Sequence, residues 1–394
     1  MTVFQQGIIS LVRAAITGNT SPIPDGFTLE HLDVFAKKHQ ITSVLLYGVV
    51  ALGLDSSHPA VKNLYVRSGA EIILSEKQQT SFDDIKAKFL EEKIDFIPLK
   101  GVVVKTMYPK PEMRSMGDID ILIKECQYQN IKSILFKSGY TELYESDHEY
   151  AWKTPNGVFF ELHKSLMPTY FANFYEHFGE GWKLAIKTGE GSEFSFSPEN
   201  EFLYLFTHFA KHYISGGIGI KHLIDLWIYK KQNNLNYKLI RDELSKLNLL
   251  EFYDNIEKVE NFWFYDEKPD EIVDFITDVI FKSGAYGTHN ARVYGEVLRI
   301  SRSENSNKVS KFRLFLRKAF PSYSVLYVKY KFLRNKKILL PVAWVVRAFD
   351  VLCHNPKNIV RHAKDIRISD NDKVNEFEEQ LSKVGLNDCF KEKP

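Results

Sequence analysis

The stretch Met113–Ile123, MRSMGDIDILI, places two aspartates two residues apart in an aliphatic run, with an arginine just ahead of them. In a strand, side chains two apart share a face. Asp118 and Asp120 therefore project together, and Ile119, Ile121 and Ile123 turn to the core side. A polar group in an apolar strand costs free energy unless something pairs with it, and two close carboxylates repel unless a cation stands between them. Magnesium prefers oxygen ligands and takes one or two carboxylates together with phosphate oxygens. Asp-x-Asp on a strand is thus a natural Mg²⁺ seat for phosphoryl or nucleotidyl transfer. The bland alternative is a strand end whose aspartates cap loop amides or pair with Arg114. If the pair is only a source of repulsion in the metal-free protein, removing either carboxylate should leave the fold as stable or more so.

Two neighbouring segments extend the pattern. GVFFELHKS, residues 157–165, buries Glu161 in a second apolar strand, where a carboxylate needs a partner or a metal. If the two strands are neighbours, Glu161 joins Asp118 and Asp120, and three carboxylates can hold two metal ions. The alternative for Glu161 is a salt bridge to Lys164 or Arg114. Upstream, PLKGVVVK (residues 98–105) reads as a strand end, a turn at Lys100-Gly101 and a helix start. A helix N-terminus offers free amides to phosphate, Gly101 permits close approach, and Lys100 adds a charge. Arg114 suits a bidentate grip on phosphate, or else balances the carboxylates.

The rest of the chain frames this centre. Residues 4–92 carry apolar residues at helical spacing. IDFIPL, DIDILI, YTELYES, HEYAWKT and GVFFELHKS read as strands, with CQYQNIKSILFKSG as a helix ending on Gly139. The texture is α+β with a mixed sheet. Helix returns at SPENEFLYLFTHFAKHY, with Ser197 as N-cap and Pro198 at N1, and continues through IKHLIDLWIYKKQ and residues 237–282. It is expected again from Lys308 to the C-terminus.

Other constellations sit outside the strands. His208 and His212 lie four apart on one helix face beside Lys211, and Lys221 and Asp225 are four apart on the next. HxxxH can bind zinc, but no glutamate follows His208 and no third ligand is evident. These five residues are read as facing substrate or supporting the metal ligands, with an Asp225 contact to Lys or His as the structural alternative. His163, on the same strand face as Glu161, stands at the rim of the site or is simply packed. Residues 308–337 hold ten Lys/Arg and no acid, so the remainder of the chain nets −8. Aromatics interleave them, which suits an anionic partner, nucleic acid or a membrane surface; an amphipathic helix pair with snorkelling lysines is the alternative.

The 394 residues suffice for two or three domains. With 44% hydrophobic and 26% charged residues the chain is ordinary for a globular protein, and a net charge of +2 names no partner. Three distant cysteines, Cys126, Cys353 and Cys389, argue against a disulfide scaffold or a structural zinc site and suit the cytoplasm. No signal peptide and no transmembrane segment is read.

Together, LKG, RSMGDIDILI and VFFELH resemble the DNA polymerase beta-type nucleotidyltransferase superfamily, and more narrowly its bacterial uncharacterised nucleotidyltransferase family. The resemblance implies a polymerase beta-like nucleotidyltransferase core (residues 93–198) between an N-terminal helical region (1–92) and a helical region completing the cleft (199–305), with a basic C-terminal helical region (306–394). It implies Mg²⁺-dependent transfer of NMP from an NTP, ATP foremost, to the hydroxyl of a small molecule or sugar, a protein or an RNA end. Asp118, Asp120 and Glu161 take the places of the metal-binding carboxylates for two Mg²⁺, with Mn²⁺ as a substitute. Lys100 and Gly101 take the place of a phosphate-binding Gly-Ser pair, a departure that removes a hydroxyl and adds a cation. A protein that binds nucleotide without turnover, as a partner- or nucleic-acid-binding module, is the alternative.

Overall fold

The computed structural model describes residues 1–189, 191–303, 311–321, 323, 326, 330–333, 336–354 and 364–386. Its centre is a five-stranded sheet of β1 (Phe96–Leu99), β2 (Ile119–Ile123), β3 (Thr141–Glu145), β4 (Glu149–Lys153) and β5 (Phe159–His163). The order is β1-β2-β5-β4-β3, with β2 and β5 parallel and the other pairs antiparallel. The mixed sheet and all five strands match the sequence reading. β1 is an edge strand, which is where Pro98 is tolerated.

Helices surround the sheet. Four precede it: α1 (Val3–Thr17), α2 (Leu32–His39), α3 (Thr42–Ala51) and the 33-residue α4 (Pro59–Glu91). The short α5 (Gly101–Val104) follows β1, and α6 (Tyr128–Lys137) links β2 to β3. After the sheet come α7 (Ala172–Phe178), α8 (Pro198–Ile214), α9 (Ile220–Gln232), α10 (Tyr237–Lys246), α11 (Leu250–Tyr265), α12 (Glu271–Ser283) and α13 (His289–Ser303). Ser197 caps α8 as read, accepting from the Asn200 N–H at 3.2 Å, with Pro198 in the first turn. Two elements were not foreseen: α7, and a hairpin of β6 (Ala185–Lys187) and β7 (Phe194–Phe196). Both are too short to declare a period in the sequence.

Two apolar clusters enclose β2. Ile119, Ile121 and Ile123 pack with Phe89, Phe96, Trp152 and Phe160 on one face. On the other face Leu122 joins a larger cluster with α1, α3, α8, α9 and α11. Asp120, on the Leu122 face, therefore points at the helical half of the molecule and is only 6% exposed. The turn between α8 and α9 closes against α12 through Gly217, at φ 98°, where a Cβ would stand 2.1 Å from Ser283 Oγ.

Past α13, helices cover Lys311–Ala319, Leu340–His354 and Asn371–Lys383. Of the basic stretch, Lys308, Lys329 and Arg334 lie outside the described residues. Lys318 is described, and it pairs with Glu296 and Asp365 at 3.0 Å each. No helix among the described residues is long and apolar enough to cross a membrane.

One core position carries a measurable cost. Glu201 in α8 is 4% exposed and its Oε1 has no hydrogen-bond partner among the described residues. Burial pushes its carboxyl up to about 8. Between its unfolded and folded values the folded chain holds a proton that the unfolded chain has released, so stability falls as pH rises. Glu201→Gln is expected to raise stability at pH 8 by on the order of 1 kcal/mol or more, and to give no gain near pH 4. Urea denaturation at the two pH values checks this; an equal effect at both would place the cost in packing.

Candidate active site

The turn after β1 aims a cation at β2. Lys100 has φ 49° and ψ −113°, a conformation that strains any residue with a Cβ. Its carbonyl accepts from the Val103 and Val104 N–H groups at 3.1 and 2.9 Å, and its Nζ donates to Asp120 Oδ1 at 2.7 Å. Gly101 is required next: a Cβ there would lie 2.8 Å from Arg114 Nη1.

The parallel register sets Asp120 opposite Glu161. His163 Nε2 donates to Asp120 Oδ1 at 2.8 Å and lies 3.6 Å from Glu161 Oε2. Ligand atoms from Asp120, Glu161 and His163 all fall within 4.8 Å of one another. Asp118, just ahead of the strand, has no hydrogen-bond or ion-pair partner among the described residues. Neither alternative partner serves Glu161: Lys164 pairs with Glu145, and Arg114 pairs elsewhere. Instead Tyr144 donates to Glu161 at 3.1 Å and to Glu149 at 3.3 Å. Glu149, at the start of β4, thus brings a fourth carboxylate.

The charges are unevenly balanced. Burial opposes ionisation of Asp120, but Lys100 and His163 outweigh it and hold the carboxyl below the usual range. Burial, then the charges of Asp120, Glu149 and Asp118, push Glu161 up to about 8. Burial and Asp120 push Asp118 up to about 6. Lys100 meets Asp120 and His148 lies 3.1 Å from Glu149, whereas Asp118 meets no cation among the described residues, so the cluster has room for more positive charge.

The opposite wall comes from α8 and α9. His208 and His212 place their Nε2 atoms 3.1 Å apart. Burial and neighbouring lysines hold both, and His222, well below the usual imidazole range. Burial and the Lys100 charge push Lys211 down to about 8; burial and Arg114 push Lys221 down to about 7. Lys221 Nζ reaches Gln40 Oε1 at 2.6 Å, whereas Lys211 has no hydrogen-bond or ion-pair partner among the described residues.

Arg114 is placed differently from either sequence reading. It forks onto Asp225, Nε to Oδ1 at 3.2 Å and Nη2 to Oδ2 at 2.8 Å, and Tyr108 donates to the same carboxylate at 2.7 Å. Arg114 and Asp225 are 7% and 5% exposed. The pair fastens α9 to the approach of β2, which explains Asp225 without a lysine or histidine partner.

All twelve residues singled out in the sequence line one cleft of about 260 Å³ between the sheet and the α8–α9 wall. Glu149, Tyr144, His222 and Tyr286 also belong to it or bond into it, and sequence reasoning passed over them. Glu149 had a signal, an acid opening an apolar strand. The other three had none, because their contacts depend on chain reversals.

The model of the family described as "Uncharacterised nucleotidyltransferase" matches residues 25–264, which hold the sheet, the carboxylates and the α8–α9 wall. No curated protein and no solved structure matches the chain.

Proposed function

The chain belongs to the uncharacterised nucleotidyltransferase family, and from that premise we propose that it transfers an NMP group from an NTP, ATP foremost, to an acceptor hydroxyl, with a divalent metal bound by Asp118, Asp120 and Glu161. The observation that carries this reading is the Asp120–Glu161 register, which sets two carboxylates side by side in a buried cleft, with Asp118, unpaired among the described residues, just ahead of the strand. An all-carboxylate oxygen set suits Mg²⁺, and Mn²⁺ as a substitute. When bound, such ions neutralise phosphate charge and make a hydroxyl a better nucleophile.

The chain's own groups supply the rest. His163 fixes Asp120 through Nε2–H, as a hydrogen-bonded neighbour orients a ligating carboxylate. Lys100 serves as internal counter-ion in the metal-free protein and is free to turn to phosphate once another cation neutralises Asp120. Lys211 and Lys221 face the carboxylates across the cleft and offer charge to the triphosphate, the role that Arg114 gives up to Asp225. Much of the catalysis then comes from positioning and charge compensation.

Pyrophosphate release from ATP, with a panel of hydroxyl acceptors, tests the reading. Release is expected to require Mg²⁺ or Mn²⁺ and to stop with EDTA. The second reading, binding without turnover, draws on Lys100, since an internal ammonium on Asp120 can stand in for a metal; it expects ATP to bind and no pyrophosphate to form with any acceptor.

Lys100→Met separates the two roles of that lysine. ATP affinity is expected to fall about tenfold, the worth of one charge-assisted bond, while Mg²⁺ binding persists. Calorimetry with ATP and Mg²⁺ varied separately measures both. Unchanged ATP affinity would restrict Lys100 to holding Asp120.

A further inference from the structure

A second cavity, of about 690 Å³, opens beside the carboxylate cleft and shares His212 and Tyr286 with it. Its size is that of a small-molecule site. Two arginines of α13 face it. The Arg299 guanidinium lies 4.2 Å from the centre of the Tyr170 ring, and Arg292, at the rim, donates to the Tyr286 carbonyl at 3.4 Å. Neither arginine meets a carboxylate among the described residues. The acid on this wall, Glu296, is engaged by Lys318 at 3.0 Å. Arginine placed this way, stacked on an aromatic face with N–H groups to spare, is suited to bidentate recognition of an anion.

We propose that this cavity is the acceptor site, and that it takes a small polyhydroxy compound carrying an anionic group held by Arg292 and Arg299. The inference rests on the nucleotidyl-transfer reading of the adjoining cleft. The triphosphate has cations of its own on the α8–α9 wall, and a neutral base has no use for two guanidiniums that meet no carboxylate among the described residues. That leaves the arginines to the other substrate. With the anionic end held on α13, the far end of the acceptor extends past His212 and Tyr286 toward Asp118 and Glu161. A hydroxyl oxygen there attacks the α-phosphorus. The new P–O bond forms as the bond from that phosphorus to the bridging oxygen breaks, pyrophosphate leaves with the electron pair, and the hydroxyl proton passes to a cleft carboxylate and on to solvent.

The test uses the full chain and three probes of one skeleton: ribose 5-phosphate, ribonate and ribose. Each is titrated by calorimetry into protein saturated with Mg²⁺ and a non-hydrolysable ATP analogue. Ribose 5-phosphate is expected to bind and ribose to bind at least about tenfold more weakly. Ribonate matching the phosphate would identify a carboxylate as an equally good anchor. Arg292→Gln/Arg299→Gln is expected to abolish the preference and leave analogue affinity unchanged. Should the double variant fail to fold, Arg292→Gln alone, on an exposed rim residue, is expected to weaken ribose 5-phosphate binding severalfold. Equal binding of ribose and its phosphate, survival of the preference in the arginine variants, or failure of ribose 5-phosphate to bind the analogue-saturated protein would each overturn the proposal. Failure of the underlying reading looks different: the analogue itself does not bind with Mg²⁺, and Asp118→Asn changes nothing.

Discussion

Asp118→Asn is expected to leave a folded protein with metal-dependent transfer reduced by about a thousandfold or more, the size of loss that follows when several kcal/mol of charge stabilisation is removed. Asp120→Asn is expected to lose as much activity but to differ in stability. A carboxyl whose folded pKa lies above its unfolded value costs stability once the unfolded chain has ionised. Asp118, pushed up to about 6, is such a group, so its Asn variant should melt higher than wild type at pH 7.5 without metal, with the gain gone near pH 4. Asp120 is held in the opposite direction by Lys100 and His163. Removing its charge strands a buried ammonium, and the variant should melt lower at neutral pH. The sequence alone expects relief of repulsion from either change; the ion pair at 2.7 Å separates them. Melting curves at both pH values with EDTA, paired with pyrophosphate release in Mg²⁺, decide the matter. Wild-type metal-dependent activity in both variants would remove the metal assignment.

Arg114→Ala is expected to destabilise the fold by about 3–5 kcal/mol, because it leaves the Asp225 carboxylate buried without its counter-charge. Asp225→Ala should cost a similar amount from the other side. A double replacement by apolar residues, Arg114→Met with Asp225→Leu, should recover much of the loss, since a packed apolar pair avoids the desolvation of two charges. Chemical denaturation of the three variants measures this. The double variant also isolates function: stability regained with ATP affinity intact would confine Arg114 to joining α9 to the strand, whereas affinity lost in a stable protein would return it to phosphate binding. Effects of both single replacements within about 0.5 kcal/mol of wild type would contradict the buried pair altogether.

Much of the centre was legible because strand chemistry is local. Alternation put Asp118 and Asp120 together, and an acid between Phe160 and Leu162 could not be idle. The five strands and the Ser197 cap followed from period and turn residues that act over a few positions. What escaped was set by distance along the chain. Arg114 and Asp225 are 111 residues apart, and nothing near either names the other. Tyr144 meets Glu161 only because β3 and β4 fold back beside β5. The β6–β7 hairpin has strands of three residues, below the length at which alternation can be told from chance.

The parallel register has a consequence for how the protein can change. Neighbouring strands stand about 4.8 Å apart whatever their side chains, so the backbone ladder acts as a ruler for the Asp120–Glu161 gap. Between Lys124 and Val158, β3, β4 and the turn joining them carry Tyr144, His148 and Glu149 to the cleft, and the remaining segments do no more than bring the strands together. Their loops can therefore lengthen or shorten in descendants of this chain without disturbing the site. Inside the two strands there is no such tolerance: a slip of one residue turns a carboxylate to the opposite face of the sheet. Length variation should accumulate in those loops and stop at β3 and β4 as well as at Ile119–Ile123 and Phe159–His163.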